Sequence, residues 1–224
     1  MTKVSTGADQ KTDARPVRVR LLEAAARLLA DEGPRALTTR RLAAEVGAST
    51  MVVYHHFGGM PELVRAVIDE GFARLAAHMA AVPRTDDPLA DLGRLALAYQ
   101  ANARANPHLY AVMFGGVPLG GQPLPAEELA SGRVASGAET FGVLVEAASR
   151  AMEAGRLRRD DPEHVSAQLW SAVHGFVMLE LAGVFTGDAE SVLTSLLVNL
   201  AVGLGDDPEA TARSLRAVLD PPAP

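Results

Sequence analysis

Cysteine is absent from all 224 positions, so the chain makes no disulfide and does no thiolate chemistry. No stretch reaches the roughly 18 uninterrupted apolar residues of a membrane span. The opening "MTKVSTGADQKTDAR" holds no apolar run, so no secretory signal is visible. These absences lead us to expect a cytoplasmic protein without a membrane partner. Paired carboxylates, a Ser-His-Asp set, a phosphate-cradling loop and metal-ligand spacing are missing as well. No catalytic residue, cofactor, metal site or enzymatic activity is therefore expected. Aromatic residues make up only 4% of the chain, against 48% hydrophobic residues dominated by alanine and leucine. That balance favours helices, because these side chains lose little freedom there.

What is present reads as nine or ten helices with no strand-like alternation. Residues 1–14 are polar and read as a disordered arm. Leu21, Leu22, Ala25, Leu28 and Leu29 recur at helical spacing from about Pro16 to Glu32, and Gly33-Pro34 stops that helix. Thr38 can cap a short helix to about Val46, Gly47 turns the chain, and Ser49 can cap a second to about His56. Pro61 suits the first turn of a longer helix to about Ala81. Further helices are expected over 88–105, 107–114, within 126–154, from Pro162 to about Gly183, from Asp188 to about Leu204, and over 208–219, with a loop at 115–125. The expected organisation is an all-α chain: a three-helix head with a helix-turn-helix over 15–60, and a helical bundle over 61–220.

Two short helices joined by a glycine turn behind a longer first helix form the helix-turn-helix pattern. Leu42, Val46, Val53 and Phe57 can face a common core with Leu21, Ala25 and Leu28. Thr50, Met51, Tyr54 and His55 are then left outside, on a helix that fits the major groove. Thr38, Thr39 and Arg40 begin the preceding helix, where backbone N–H groups and the helix dipole favour a phosphate. The adjacent pair His55-His56 invites a metal reading, but adjacent helical residues point about 100° apart. Helical metal pairs use spacings of three or four. Phosphate contact by Tyr54 and at least one of these histidines competes with a plainer reading, one ring packed at the helix end and the other solvated.

Net charge is −6, yet residues 1–57 carry nine Lys/Arg against six Asp/Glu. The remainder carries twelve against twenty-one, which is the asymmetry of a basic contact surface on an acidic body.

The run "LTTRRLAAEVGASTMVVYHHFGGMPEL" resembles the DNA-binding domain of the tetracycline-repressor (TetR) family over about residues 16–65. The resemblance implies a dimer with two helix-turn-helix heads on a helical, ligand-responsive body. It implies DNA-facing roles for Thr38, Arg40, Ser49, Thr50, Met51, Tyr54, His55 and His56. Most members of that family carry a lysine three residues after the Phe, where it reaches phosphate. Here the residue is Met60, so that contact is missing or is supplied by Arg18, Arg20 or Arg41. The segments "NPHLYAVMFG" and "LWSAVHGFVMLELAG" resemble a TetR-type C-terminal domain marked by a Trp–His-Gly signature.

From Ala167 to Phe185 the chain is apolar nearly all round, broken by Gln168, His174 and Glu180. A helix apolar on every side is buried on every side. Phe176 and Leu179 here, with Leu193, Leu196, Leu197, Leu200 and Leu204 on the next helix, are candidates for a twofold four-helix interface between two copies. The alternative is that both are core helices of a monomer. Tyr99, Tyr110, Met113, Phe114, Phe141, Trp170, His174 and Met178 are candidate walls of a small-molecule pocket. Aromatic and Met residues at helical spacing are also ordinary core, and His174 can be a satisfied core histidine.

The function these features predict is a ligand-responsive transcriptional regulator. By the resemblance it is a repressor binding a palindromic double-stranded operator as a homodimer, released by a small, mostly apolar effector. The competing reading is an architectural or protein-interaction module that uses the helix-turn-helix without an effector.

Overall fold

A computed structural model describes residues 15–114 and 135–219. The expected arm at 1–14 and loop at 115–125 lie outside the described residues. Among the described residues there are ten α-helices and no strand. They are α1 (Val17–Glu32), α2 (Thr39–Glu45), α3 (Thr50–Phe57), α4 (Met60–Ala80), α5 (Pro88–Ala105), α6 (Pro107–Phe114), α7 (Ala135–Glu153), α8 (Pro162–Leu181), α9 (Ala189–Gly203) and α10 (Pro208–Leu219).

Local chemistry sets most of the boundaries. Asp87 caps α5, its carboxylate accepting from the N–H groups of Leu89 and Ala90 at 3.1 Å each. Asp161 caps α8 through the Glu163 N–H at 3.0 Å, and Asp188 caps α9 through the Ser191 N–H at 3.1 Å. Each of α4, α5 and α8 has a proline in its first turn, where the missing N–H costs nothing.

The interior divides into two apolar clusters. One joins α1, α2 and α3 with Leu63, Val64, Val67 and Ile68 of α4 and with Leu109 and Val112 of α6. The sequence places the head boundary at residue 60; the core of the head runs on through the first turns of α4 and borrows one stripe of α6. The other cluster fills the body, from Leu75 of α4 through α5, α7, α8 and α9, and takes Tyr110 and Met113 from the adjoining stripe of α6. The eight residues of α6 thus sit in both cores.

At the far end of the body, buried ion pairs replace apolar packing. Arg156 forks onto Asp206 at 2.7 and 2.9 Å and also reaches Asp87 at 3.1 Å. Arg150 reaches Asp91 at 2.9 Å. Burial alone would push the Asp206 carboxyl up; the Arg156 fork and the Thr211 hydroxyl outweigh it and hold the carboxyl below its ordinary value.

Candidate nucleic-acid interface and interior cavity

The Thr38 hydroxyl oxygen accepts the Arg41 N–H at 3.3 Å and starts α2. At its end the Gly47 N–H returns to the Ala44 carbonyl and the Ala48 N–H to the Ala43 carbonyl, at 3.2 and 2.9 Å. Gly47 has φ 64°, a left-handed turn that a Cβ would oppose. The chain re-enters helix at Thr50, and Val53 and Phe57 sink into the head core beside Leu42 and Leu21. Their burial leaves Thr50, Met51, Tyr54, His55 and His56 exposed, Met51 by 69% and Tyr54 by 50%. Thr38 and Arg40 are exposed and Thr39 is half-buried at the front of α2.

Ser49 differs from expectation. Its backbone is extended, as an N-cap requires, but its side chain makes no cap hydrogen bond. The hydroxyl and the first N–H groups of α3 therefore remain available to an anion in front of the helix. The His55 and His56 rings meet edge to face, centroids 5.2 Å apart. Among the described residues no group of three or more His, Asp or Glu is placed to hold a metal ion.

The three arginines named as substitutes for the missing lysine are each engaged. Arg41 forks onto Glu32 at 2.7 and 2.6 Å. Arg20 donates to the Val46 carbonyl at 3.1 Å, bracing the end of α2 against α1. Arg18 lies over the Phe57 ring, 5.3 Å from its centroid. Met60 packs, half-buried, against the head core, so the position works as apolar filler. Arg35 and Arg40 are exposed and have no ion-pair partner among the described residues.

Inside the body lies a cavity of about 360 Å³ walled by α4, α5, α6, α7, α8, α9 and α10. Tyr99, Met113, Phe114, Phe141 and Trp170, five of the eight pocket candidates, line it. Tyr110 and His174 stand beside it in one hydrogen-bonded cluster. His174 Nδ1 lies 2.7 Å from the Tyr110 hydroxyl and 2.9 Å from the Tyr99 hydroxyl, and Trp170 Nε1 donates to the Tyr99 hydroxyl at 3.3 Å. Burial pushes His174 below its ordinary pKa and so favours the neutral ring. Nδ1 faces both phenols, and which partner donates there is set by the tautomer of the neutral ring. Burial raises both tyrosines. Met178 is corrected: it is 40% exposed and lines no part of the cavity.

Sequence reasoning missed Phe72, Leu144, Val173 and Thr140 as lining. The spacing of Phe141, Leu144 and Ala148 was the available signal for that face of α7. The charged lining expected of a site for an acid is absent: no Asp, Glu, Lys or Arg lines the cavity among the described residues.

The expected subunit seam also needs correction. Phe176, Leu193 and Leu204 are 4%, 2% and 3% exposed, so they are interior to one chain. Phe176 stacks on Phe185 at 5.1 Å, and Leu197 and Leu204 line the cavity. Each of α8 and α9 spends one stripe on its own body, which leaves Phe176, Leu193 and Leu204 little surface to offer a partner. Leu179 is exposed, and Leu196 and Leu200 are half-buried. The large apolar side chains left open on these helices and the turn after α8 are Trp170, whose ring also lines the cavity, with Met178, Leu179, Leu181, Val184 and Val192.

The pattern described as "Bacterial regulatory proteins, tetR family" matches residues 21–67. A second, described as "Tetracyclin repressor-like, C-terminal domain", matches residues 92–200 and so covers the Trp170–Gly175 signature. An uncharacterised HTH-type transcriptional regulator of Mycobacterium tuberculosis is 30% identical over 202 residues, 87% of this chain and 85% of that one. A protein of unknown function from Rhodococcus sp. RHA1 has the same fold at a TM-score of 0.69, with 25% identity over 88% of this chain and all of its own. The TetR family regulator PfmR of Thermus thermophilus superposes at a TM-score of 0.66, with 24% identity, over 83% of this chain and 98% of its own. With the head and body patterns in chain order and a relative matched over most of both chains, this protein belongs to the TetR family of DNA-binding transcriptional regulators.

Proposed function

We propose that the protein is a cytoplasmic repressor that binds a palindromic operator as a homodimer and lets go when a small, mostly apolar molecule fills the body cavity. The observation that carries the ligand response is the double membership of α6. Leu109 and Val112 belong to the core of the head, while Met113 and Phe114, on the same eight residues, line the cavity. A helix is stiff over this length, so a ligand that displaces Phe114 also displaces Leu109 and Val112, and with them α1 and α4. The contact is tight: a Cβ on Gly71 of α4 would come within 2.7 Å of Met113 Cγ. Packed elements of this kind shift between discrete arrangements rather than deform gradually.

The exposed apolar stripe on α8 and α9 supports association, since a patch of this kind marks an interaction surface. A twofold pair would present two α3 helices, and spacing of about 34–36 Å matches one turn of duplex. The uncharged lining favours an effector without a formal charge at its buried end.

The test is selection of bound sequences from random duplex DNA, followed by challenge of the complex with the uncharged dye N-phenyl-1-naphthylamine. A palindromic site, dye uptake by the free protein, and loss of both dye uptake and release in Leu144→Trp are expected. Equal retention of selected and scrambled DNA at physiological salt would instead leave the architectural role.

A further inference from the structure

We propose that Met51 reads the C5-methyl group of a thymine in each operator half-site. The inference rests on the reading of α3 as the helix that enters the major groove. That helix, "TMVVYHHF", contains no Arg, Lys, Asn or Gln. Those are the side chains that pair with two atoms of a guanine or adenine edge. Its specificity must come from other chemistry.

Met51 stands in the first turn of α3, the part of a recognition helix that meets base edges. At 69% exposure it is the most exposed large hydrophobic side chain among the described residues. The core does not need it: Val53 and Phe57 supply the buried face of α3, and Met60 supplies the filler beside them. Its neighbours on the open face are Thr50, Tyr54 and His55, which all carry hydrogen-bonding groups. Base edges in the major groove present donors and acceptors, and the pyrimidine C5-methyl is the apolar exception. An unbranched, polarisable thioether is well suited to cover it. The unused Ser49 hydroxyl and the open N–H groups before Met51 can hold the adjacent phosphate, which fixes the register of the side chain on the bases. The same methyl occurs on 5-methylcytosine, so the chemistry recognised is a methylated pyrimidine edge; in unmodified DNA that base is thymine.

The full-length protein is first used to select sequences from random duplexes. The selected site is then resynthesised with deoxyuridine in place of thymidine, one position at a time, which removes the methyl and keeps every hydrogen-bonding atom. At one position in each half-site, affinity should fall about fourfold, the change expected for one methyl-sized group leaving an apolar contact. Met51→Ala should bind the thymine and uracil duplexes alike, while Met51→Leu should keep the preference for thymine. Placing deoxycytidine at that position should weaken binding, and 5-methyldeoxycytidine should recover part of the loss. Wild-type protein that binds uracil and thymine duplexes equally at every position overturns the inference. A uracil penalty of equal size in Met51→Ala overturns it too, moving the reading to another residue such as Thr50. If no sequence is enriched at all, the operator reading falls with it; enrichment without a uracil penalty removes this inference alone.

Discussion

In the head, the side chains aimed at a partner lie on the outside and close together in sequence, from Thr38 to His56, held there by a core that needs only the opposite faces of α2 and α3. In the body, the cavity lies inside, and its walls run from Phe72 to Leu215. The two regions also differ in what holds them together. The ion pairs of the head are solvent-exposed, such as Arg41–Glu32 with both side chains over 40% exposed. The body has exposed pairs too, but adds pairs buried on the acid side, with the Asp206 side chain 2% exposed beneath Arg156 and that of Asp91 4% exposed beside Arg150. A recognition surface can change without loosening its scaffold. An interior cavity forfeits packing contacts, and the far end of the body is pinned by ion pairs whose Asp91 and Asp206 carboxylates are almost fully buried.

The sharpest break in this contrast is Asp206→Ala. It leaves Arg156 beside a half-buried Asp87 and without its buried partner, and should lower unfolding stability by about 3–5 kcal/mol, measured by urea denaturation. Operator affinity of the remaining folded protein should hold; an equal loss in both would mean that head and body are one energetic unit. Thr50→Ala should do the reverse, with unchanged stability and a loss of about 1–3 kcal/mol in discrimination between operator and scrambled DNA if its hydroxyl reads a base edge. Tyr54→Phe should cost about 1.5 kcal/mol of affinity, nearly equal on every sequence, because a hydroxyl on a charged phosphate oxygen carries no sequence information. A loss confined to one operator would contradict that role.

The next effect is one of pH. His174 is held below its ordinary value of 6.5 by burial. As pH falls past 6.5, the unfolded chain takes up that proton before the folded one does. The stability His174 contributes is thus present above that pH and lost below it, until the folded ring also titrates. Urea midpoints on either side of pH 6.5 should separate for the wild type and converge for His174→Asn. The smallest effect belongs to Glu32→Gln, which should change stability by less than about 1 kcal/mol because the pair is exposed. It also frees Arg41, so weaker binding to DNA in this variant would rule out a latent phosphate contact there.

The head was largely legible from its residues. Capping by Thr38, the turn at Gly47 and the alternation that buries Val53 and exposes Tyr54 are all local, within reach of helical periodicity. The body was legible as helices and less so as a site. Tyr99, Phe114 and Trp170 could be named as walls because aromatics were few, but Thr140 and Leu144 could not be told from ordinary core. The residues named for a seam were sorted only by the structure, for a related reason: a helix apolar all round has two apolar stripes, and periodicity does not say which faces its own chain. Leu193 went inward and Leu179 outward.

By itself, the sequence determined the helices, their caps and turns, and the outward set on α3, because each depends on residues a few positions apart. Only the tertiary structure decided that α6 belongs to two cores, that Arg20 and Arg41 are occupied, that Met60 is filler, and that an apolar cavity ends at a His174–tyrosine cluster. Those outcomes depend on which distant surfaces meet, and close packing between helices far apart in the chain leaves no periodic trace in either one.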